Sequence, residues 1–261
     1  MSIQMLDLPY RIVFLFLIGM LGASMASFMT CMGSRMAKGK DWVHGHSICE
    51  SCGAQLNWKD LIPIFSYITS GGKCRHCGAK IPVSCLIGEV LMAVYFIASV
   101  WIYGFSGEAL RCMGLACILL GLSVVDLEIY EIPDEFIIAG IVLWVITIPI
   151  CGRPWLEEIK RGLLGGLGIG GGMLVLSLIF DRIIKRDSLG GGDIKLFFMT
   201  GLYLGIGAGF FSLILSCVVG LIFVVLLKKD KIPFWPAISI ATAISLLFGN
   251  TVVGWYLGLF L

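Results

Sequence analysis

The sequence predicts an all-α polytopic membrane protein of about eight transmembrane helices, with a small cytoplasmic zinc-binding domain between the first and second. Three observations carry this. Of the 261 residues, 58% are hydrophobic and 14% charged, with mean hydropathy +0.97, whereas a soluble domain is about half apolar and a quarter charged. The apolar residues fall in runs of the roughly 20 residues a helix needs to cross the hydrocarbon core. One long polar stretch, residues 37–82, interrupts them. The net charge of +2 is too small to point to nucleic acid as a partner. The partner that composition names is the lipid bilayer.

Residues 1–36 hold the first span. Its apolar run, from Ile12 to Met36, is long and is followed by basic residues instead of a small-residue cleavage site. It is therefore expected to remain as a helix and not to act as a cleavable signal. Residues 83–261 form the main helix bundle, with spans expected near 83–104, 109–129, 135–152, 162–184, 193–208, 209–228 and 233–261. Gly207-Ala208-Gly209 is expected to join the sixth and seventh, and Gly249-Asn250 to interrupt the last. Pro133 suits a helix's first turn. The run from Gly166 to Gly171 matches G-x-G-x-x-G, but no strand precedes it and it lies in an apolar span, so a dinucleotide site lacks its context. Gly162, Gly166 and Gly170 instead repeat every four residues, the small-residue spacing of close membrane helices; residues 19–26 carry a similar stripe.

Orientation follows from the basic residues. With the N-terminus outside, Arg11, Arg111, Arg153, Lys160 and Arg161 lie on the outer face, and the other fourteen of the nineteen Lys and Arg lie inside. This positive-inside bias makes the second face cytoplasmic. Asp126 and Asp193 both fall on it, although neither was used to set the topology.

The polar stretch contains Cys49-Glu50-Ser51-Cys52 and, after 21 residues, Cys74-Arg75-His76-Cys77. Two such pairs fit a closed, four-thiolate structural Zn2+ site. Gly53 and Gly78 follow the pairs and suit tight knuckle turns. Two disulfides are the alternative, but a cytoplasmic loop meets a reducing pool. His44, His46 and His76 are expected to be solvated loop residues. The remaining cysteines, Cys31, Cys85, Cys112, Cys117, Cys151 and Cys217, lack paired spacing and read as packing residues. So small a domain gains from a metal staple. Short strands at most are expected in the knuckles, and the apolar residues around 58–67 would pack on the metal core or on the membrane interface.

Two aspartates carry the chemistry. Asp126 ends an apolar run shortly before Ile132-Pro133-Asp134, and Asp193 closes Gly190-Gly191-Gly192-Asp193. Carboxylates at a membrane boundary are functional candidates. A pair sharing one proton can act as an aspartyl protease: the ionised member deprotonates a water and the neutral member protonates the peptide carbonyl. The glycines are expected to give the backbone unusual conformations and let an extended peptide approach. Glu128, Glu131, Asp134 and Glu135 crowd the same rim, where they would attract a basic peptide segment or simply solvate a helix end.

These motifs together resemble the type IV prepilin peptidases, or prepilin leader peptidases, which are GxGD-type aspartyl proteases. The resemblance runs through residues 22–35 with Ser27-Phe28, both cysteine pairs, residues 63–67, Glu89, Asp126 to Asp134, and Gly190-Gly191-Gly192-Asp193-Ile194-Lys195-Leu196. Met29-Thr30-Cys31-Met32 departs from the family's usual Asn-Val-Val. The resemblance implies catalysis by Asp126 and Asp193, supported by Gly190, Gly192, Asp134 and Lys195, with Glu128 and Glu131 attracting the substrate's basic leader. It implies an enzyme of the bacterial cytoplasmic membrane that removes this leader from type IV prepilins or pseudopilins at the cytoplasmic face. It also implies N-methylation of the new terminus with S-adenosylmethionine, for which no residue is assigned.

Two rival readings use the same residues. A proton-coupled transporter would relay protons through the carboxylates, but would want inverted repeats and carboxylates near the bilayer midplane, and neither is evident. A membrane scaffold docking a partner through its zinc domain would survive loss of both aspartates and fail on loss of the cysteines.

Overall fold

A computed structural model describes residue 3 and residues 7–42, 44–130, 133–185, 190–227 and 234–259. Glu131, Ile132, Arg186, Lys228, Lys229 and Lys231, used above, lie outside the described residues. Within them the chain is helical, without a strand, and six helices are long and apolar enough to cross a membrane. The chain divides into two compact units, 1–105 and 106–261.

The first unit contains α1 (Leu8–Ala37), a 3-10 turn at Trp58–Asp60, the short α2 (Phe65–Thr69) and α3 (Val83–Tyr103). Helices α1 and α3 pack through small residues, as the stripe predicts. A Cβ on Gly22 would lie 2.6 Å from the Met92 carbonyl oxygen. Ala23 and Ala26 are fully buried, so backbone contact takes the place of side-chain packing. Between the two spans, the cysteine segment carries only isolated bridges, Ile48 with Gln55 and Lys73 with Lys80.

The second unit contains α4 (Gly107–Ile129), α5 (Asp134–Thr147), α6 (Trp155–Ile184), α7 (Gly191–Leu227) and α8 (Trp235–Leu257). Ser106 starts α4 by accepting the Ala109 N–H at 3.3 Å. Helix α5 begins just after Pro133, with Asp134 and Glu135 in its first turn, where the helix dipole favours acidic residues. Its 14 residues make it shorter than a full span.

Helix α7 corrects one expectation. It breaks at Gly205, where φ is 71°, and not at residues 207–209. Before the break it runs antiparallel to α6, with Gly162 against Leu202 and Gly170 against Phe198. After the break it runs antiparallel to α8, with Gly207 against Val253 and Gly220 against Phe234. Among the described residues, its two arms, α5 and the five other long helices match the eight expected segments. Arg161 stabilises the break by donating to the carbonyls of Tyr203 (3.1 Å) and Leu204 (3.4 Å), groups a helix end leaves free. Gly207 and Gly209 serve close packing instead, against Val253 and Ile169.

Two further boundaries differ. Helix α6 starts at Trp155 and not near 162, because Glu158 in its first turn is buried in ion pairs. Glu158 is fully buried among Arg111, Arg153 and Arg161. Helix α8 continues through Gly249 and Asn250; Gly249 has no side chain because Ala208 lies against it.

Candidate active site

Asp126 lies in the last turn of α4, 5% exposed. Its Oδ2 accepts the backbone N–H of Trp235 at 3.3 Å. Trp235 is the first residue of α8, so this N–H has no partner inside its own helix. Asp193 lies in the first turn of α7, half-buried, and its own N–H donates to the Gly190 carbonyl at 3.0 Å. The Trp235 side chain also meets the Asp193 carboxylate. The two aspartates are near enough for their charges to interact, and one residue, Trp235, addresses both. Asp193 Oδ1 is buried and has no hydrogen-bond partner among the described residues, so it keeps acceptor capacity for a water or substrate group.

The contact between α4 and α8 is held one turn further along each helix. Ser123 Oγ donates to Ser239 Oγ at 2.9 Å, and Ser239 reaches the Leu119 carbonyl at 3.3 Å. Trp235, Ser123 and Ser239 escape a reading of the sequence. Trp235-Pro236 does mark a helix start, which was the available signal for a free N–H.

Asp134 and Lys195 also come together. Lys195 Nζ lies 2.7 and 3.0 Å from the two Asp134 oxygens, joining the start of α5 to α7 two residues beyond Asp193. This pair edges a cavity of about 490 Å³ whose apolar lining includes Ile137, Ile141, Leu174 and Phe198. Glu128 is exposed at the end of α4, in contrast to buried Asp126. Glu131 lies outside the described residues. The glycines behave differently from the expectation. None of Gly190, Gly191 and Gly192 has positive φ, because α7 has already begun at Gly191 and takes ordinary helical geometry. What they contribute is missing bulk: a Cβ on Gly191 would meet nothing within 4 Å, and one on Gly190 would lie 3.6 Å from Asp193 Oδ2.

In the first unit, the sulfurs of Cys49, Cys52, Cys74 and Cys77 lie within 4.8 Å of one another. Two equivalent knuckles present them: Cys49 N–H donates to the Ala54 carbonyl at 2.9 Å and Cys74 N–H to that of Ala79 at 2.8 Å. Gly53 and Gly78 take the required φ of 71°. None of the four cysteines forms a disulfide. The Cys49 and Cys77 sulfurs are 3.9 Å apart; tetrahedral zinc at about 2.3 Å from each sulfur would want roughly 3.8 Å. The backbone amides of Cys52 and Ser51 pull the Cys49 thiol down to about 6. The amides of Cys77 and His76 lower Cys74. At Cys77 the Ala79 amide favours the thiolate, but desolvation and the neighbouring sulfurs outweigh it and push the thiol up to about 11. The donor set and geometry fit a four-thiolate zinc site. Among the described residues no histidine joins the cluster.

The chain matches two family models: the bacterial peptidase A24 N-terminal domain over residues 20–103, and the type IV leader peptidase family over residues 113–225. It is 28% identical over 244 residues to the prepilin leader peptidase/N-methyltransferase of Bacillus subtilis (strain 168), covering 90% of this chain and 95% of that protein. It is 32% identical over 200 residues to the type 4 prepilin-like proteins leader peptide-processing enzyme of Escherichia coli O78:H11 (strain H10407 / ETEC), covering 74% of this chain and 72% of that one. A third relative, the prepilin leader peptidase/N-methyltransferase of Vibrio cholerae serotype O1 (strain ATCC 39315 / El Tor Inaba N16961), is 29% identical over 67% of this chain and 68% of its own. No solved structure matches significantly.

Proposed function

The chain belongs to the type IV leader peptidase family, and from that premise we propose that Asp126 and Asp193 are the catalytic pair of its peptidase. It is a multi-pass protein of the bacterial inner membrane that cleaves the leader from type IV prepilins or prepilin-like proteins and methylates the new N-terminus. Family membership decides against the transporter. The observation that supports the assignment is that Trp235 lies beside both carboxylates, its N–H bonding Asp126 at 3.3 Å.

In the reaction, the ionised carboxylate takes a proton from water as the water oxygen attacks the scissile carbonyl carbon. The neutral carboxylic acid gives its proton to the carbonyl oxygen. Collapse of the tetrahedral diol expels the amine, which takes the proton gained from water, while a diol hydroxyl returns its proton to the other carboxylate. One proton is shared between two groups, so the titration belongs to the pair. The Trp235 N–H fixes one oxygen of Asp126 and leaves the other to act. Asp134 and Lys195 hold the start of α7, and with it Asp193, against α5. Glu128 and Glu131 attract the basic leader on the cytoplasmic side, where the positive-inside bias places the site.

Residues 37–82 form a zinc domain in which Cys49, Cys52, Cys74 and Cys77 hold the ion; bound there, it supplies a structural cross-link and no catalytic step. S-adenosylmethionine is the methyl donor, with its residues unassigned. Purified full-length enzyme with Asp126→Asn or Asp193→Asn should remain folded and lose cleavage of a prepilin-like substrate. Full cleavage by either variant overturns the pair.

A further inference from the structure

We infer that residues 58–69 of the cysteine segment form an in-plane anchor seated in an anionic lipid surface. The geometry begins at Glu89, 9% exposed in α3, whose Oε2 accepts the Ile64 N–H at 2.7 Å. Glu89 lies six residues past Val83, the first residue of α3, or about 9 Å along the axis. The side chains of Val83, Ile87, Val90 and Leu91 are all exposed apolar groups on this helix, so its lipid-facing surface begins at its first turn. The 63–65 turn is therefore tied beside the second turn of a membrane span, at the depth where headgroups give way to acyl chains. Ile64 is held there at φ 64°, a costly conformation for a β-branched residue.

The surface of this segment suits that depth. Trp58, Leu61, Phe65 and Ile68 are 69%, 44%, 49% and 65% exposed. Phe65 and Ile68 are spaced to share one face of α2. Aromatic residues at the interface and apolar faces lying in its plane are how peripheral segments bind bilayers. The charges select an anionic surface. Lys59 lies over the Trp58 ring at 5.5 Å. Lys73 and Lys80 face each other across a bridge, and Lys80 precedes α3 by three residues, at headgroup level. The neighbouring carboxylates are engaged elsewhere, Asp60 with Arg75 and Glu50 with Lys38. Three lysines, Lys59, Lys73 and Lys80, thus remain to attract acidic headgroups.

The test uses the full-length protein in nanodiscs of phosphatidylcholine mixed with phosphatidylglycerol. The emission of Trp58 is isolated by subtracting that of Trp58→Phe. Acyl chains brominated near the glycerol should quench most of it, and aqueous acrylamide should quench little. A second reporter, Ile68→Trp in the Trp58→Phe background, should respond in the same way. Replacing Lys59, Lys73 and Lys80 together by glutamate should cut the bromolipid quenching of this reporter several-fold in the mixed discs. Full acrylamide quenching without bromolipid quenching would overturn the anchor, because the surface would face water. Shielding from both quenchers would also overturn it, because protein would cover the surface. Equal quenching with and without the lysines would overturn the anionic selection.

Discussion

Replacing Glu158 by leucine should destabilise the second unit more than any exposed charge change in the protein. Glu158 is fully buried and Arg111 is 1% exposed; they form a direct ion pair, and Arg153 and Arg161 donate to the same carboxylate at 3.1–3.3 Å. Without Glu158, the nearest carboxylate to Arg111 is Glu108, at 4.0 Å. Among the described residues Arg111 then keeps only the Thr147 hydroxyl as a close partner, at 2.9 Å. Stranding one member of a buried pair costs about 3–5 kcal/mol, or roughly two to three and a half decades in the folded-to-unfolded ratio. For a unit of this size that lowers Tm by roughly 6–20 °C.

The assay is thermal unfolding of the purified protein in detergent. Arg153→Ala is the control: its side chain is 42% exposed, so its pairs should contribute under about 1 kcal/mol. Arg111→Met with Glu158→Leu should regain most of the loss, since an apolar replacement of a buried pair is often close to neutral. If Glu158→Leu melts where Arg153→Ala does, the buried network does not hold α6 against the break in α7, and the reasoning fails.

Four other outcomes follow from the sites. Cys49→Ser and Cys74→Ser should each lose zinc in metal analysis. In the parent protein at neutral pH, zinc binding should release fewer than four protons, because Cys49, at about 6, is already thiolate, whereas Cys77, at about 11, must give up its proton on binding; release of all four, followed with a pH indicator, would contradict those thiol environments. The Asp134–Lys195 pair is more than half exposed on both sides, so Asp134→Asn and Lys195→Ala should each change stability by under about 1 kcal/mol. Both should nevertheless lower kcat with little change in KM, and an Asp134→Lys, Lys195→Asp exchange should restore part of it. Ser239→Ala removes the bonds to Ser123 and Leu119 and should cost about 1–2 kcal/mol in chemical unfolding, with a slower leader cleavage.

What the sequence made legible was whatever a side chain's type declares. The apolar runs of α1, α3 and α4, the cysteine knuckles with Gly53 and Gly78, and the small-residue faces at Gly22 and Gly166 all appear where composition and spacing put them. The misplaced boundaries share one cause, which is that partners distant in sequence decide them. Several glycines between 201 and 209 are equally able to break a helix; Gly205 is the one that does, and Arg161, more than forty positions earlier, binds the carbonyls it frees. The charges at 157–161 look like a loop until Arg111, from another helix, buries Glu158.

Trp235 shows why the candidate site was only half visible. Its contribution to Asp126 is a backbone N–H, which any residue but proline would carry, so no residue type at 235 marks it. The position matters because Pro236 follows it and begins the helix there, leaving that N–H unclaimed. The Ser123–Ser239 bond, one turn deeper, then fixes how α8 meets α4. Asp126 ends α4 and Asp193 begins α7, and the start of α8 lies beside both. A change that loosens α8 from α4, without touching either carboxylate, should therefore slow cleavage, and Ser239→Ala, which removes the bond to Ser123, is the substitution that tests this.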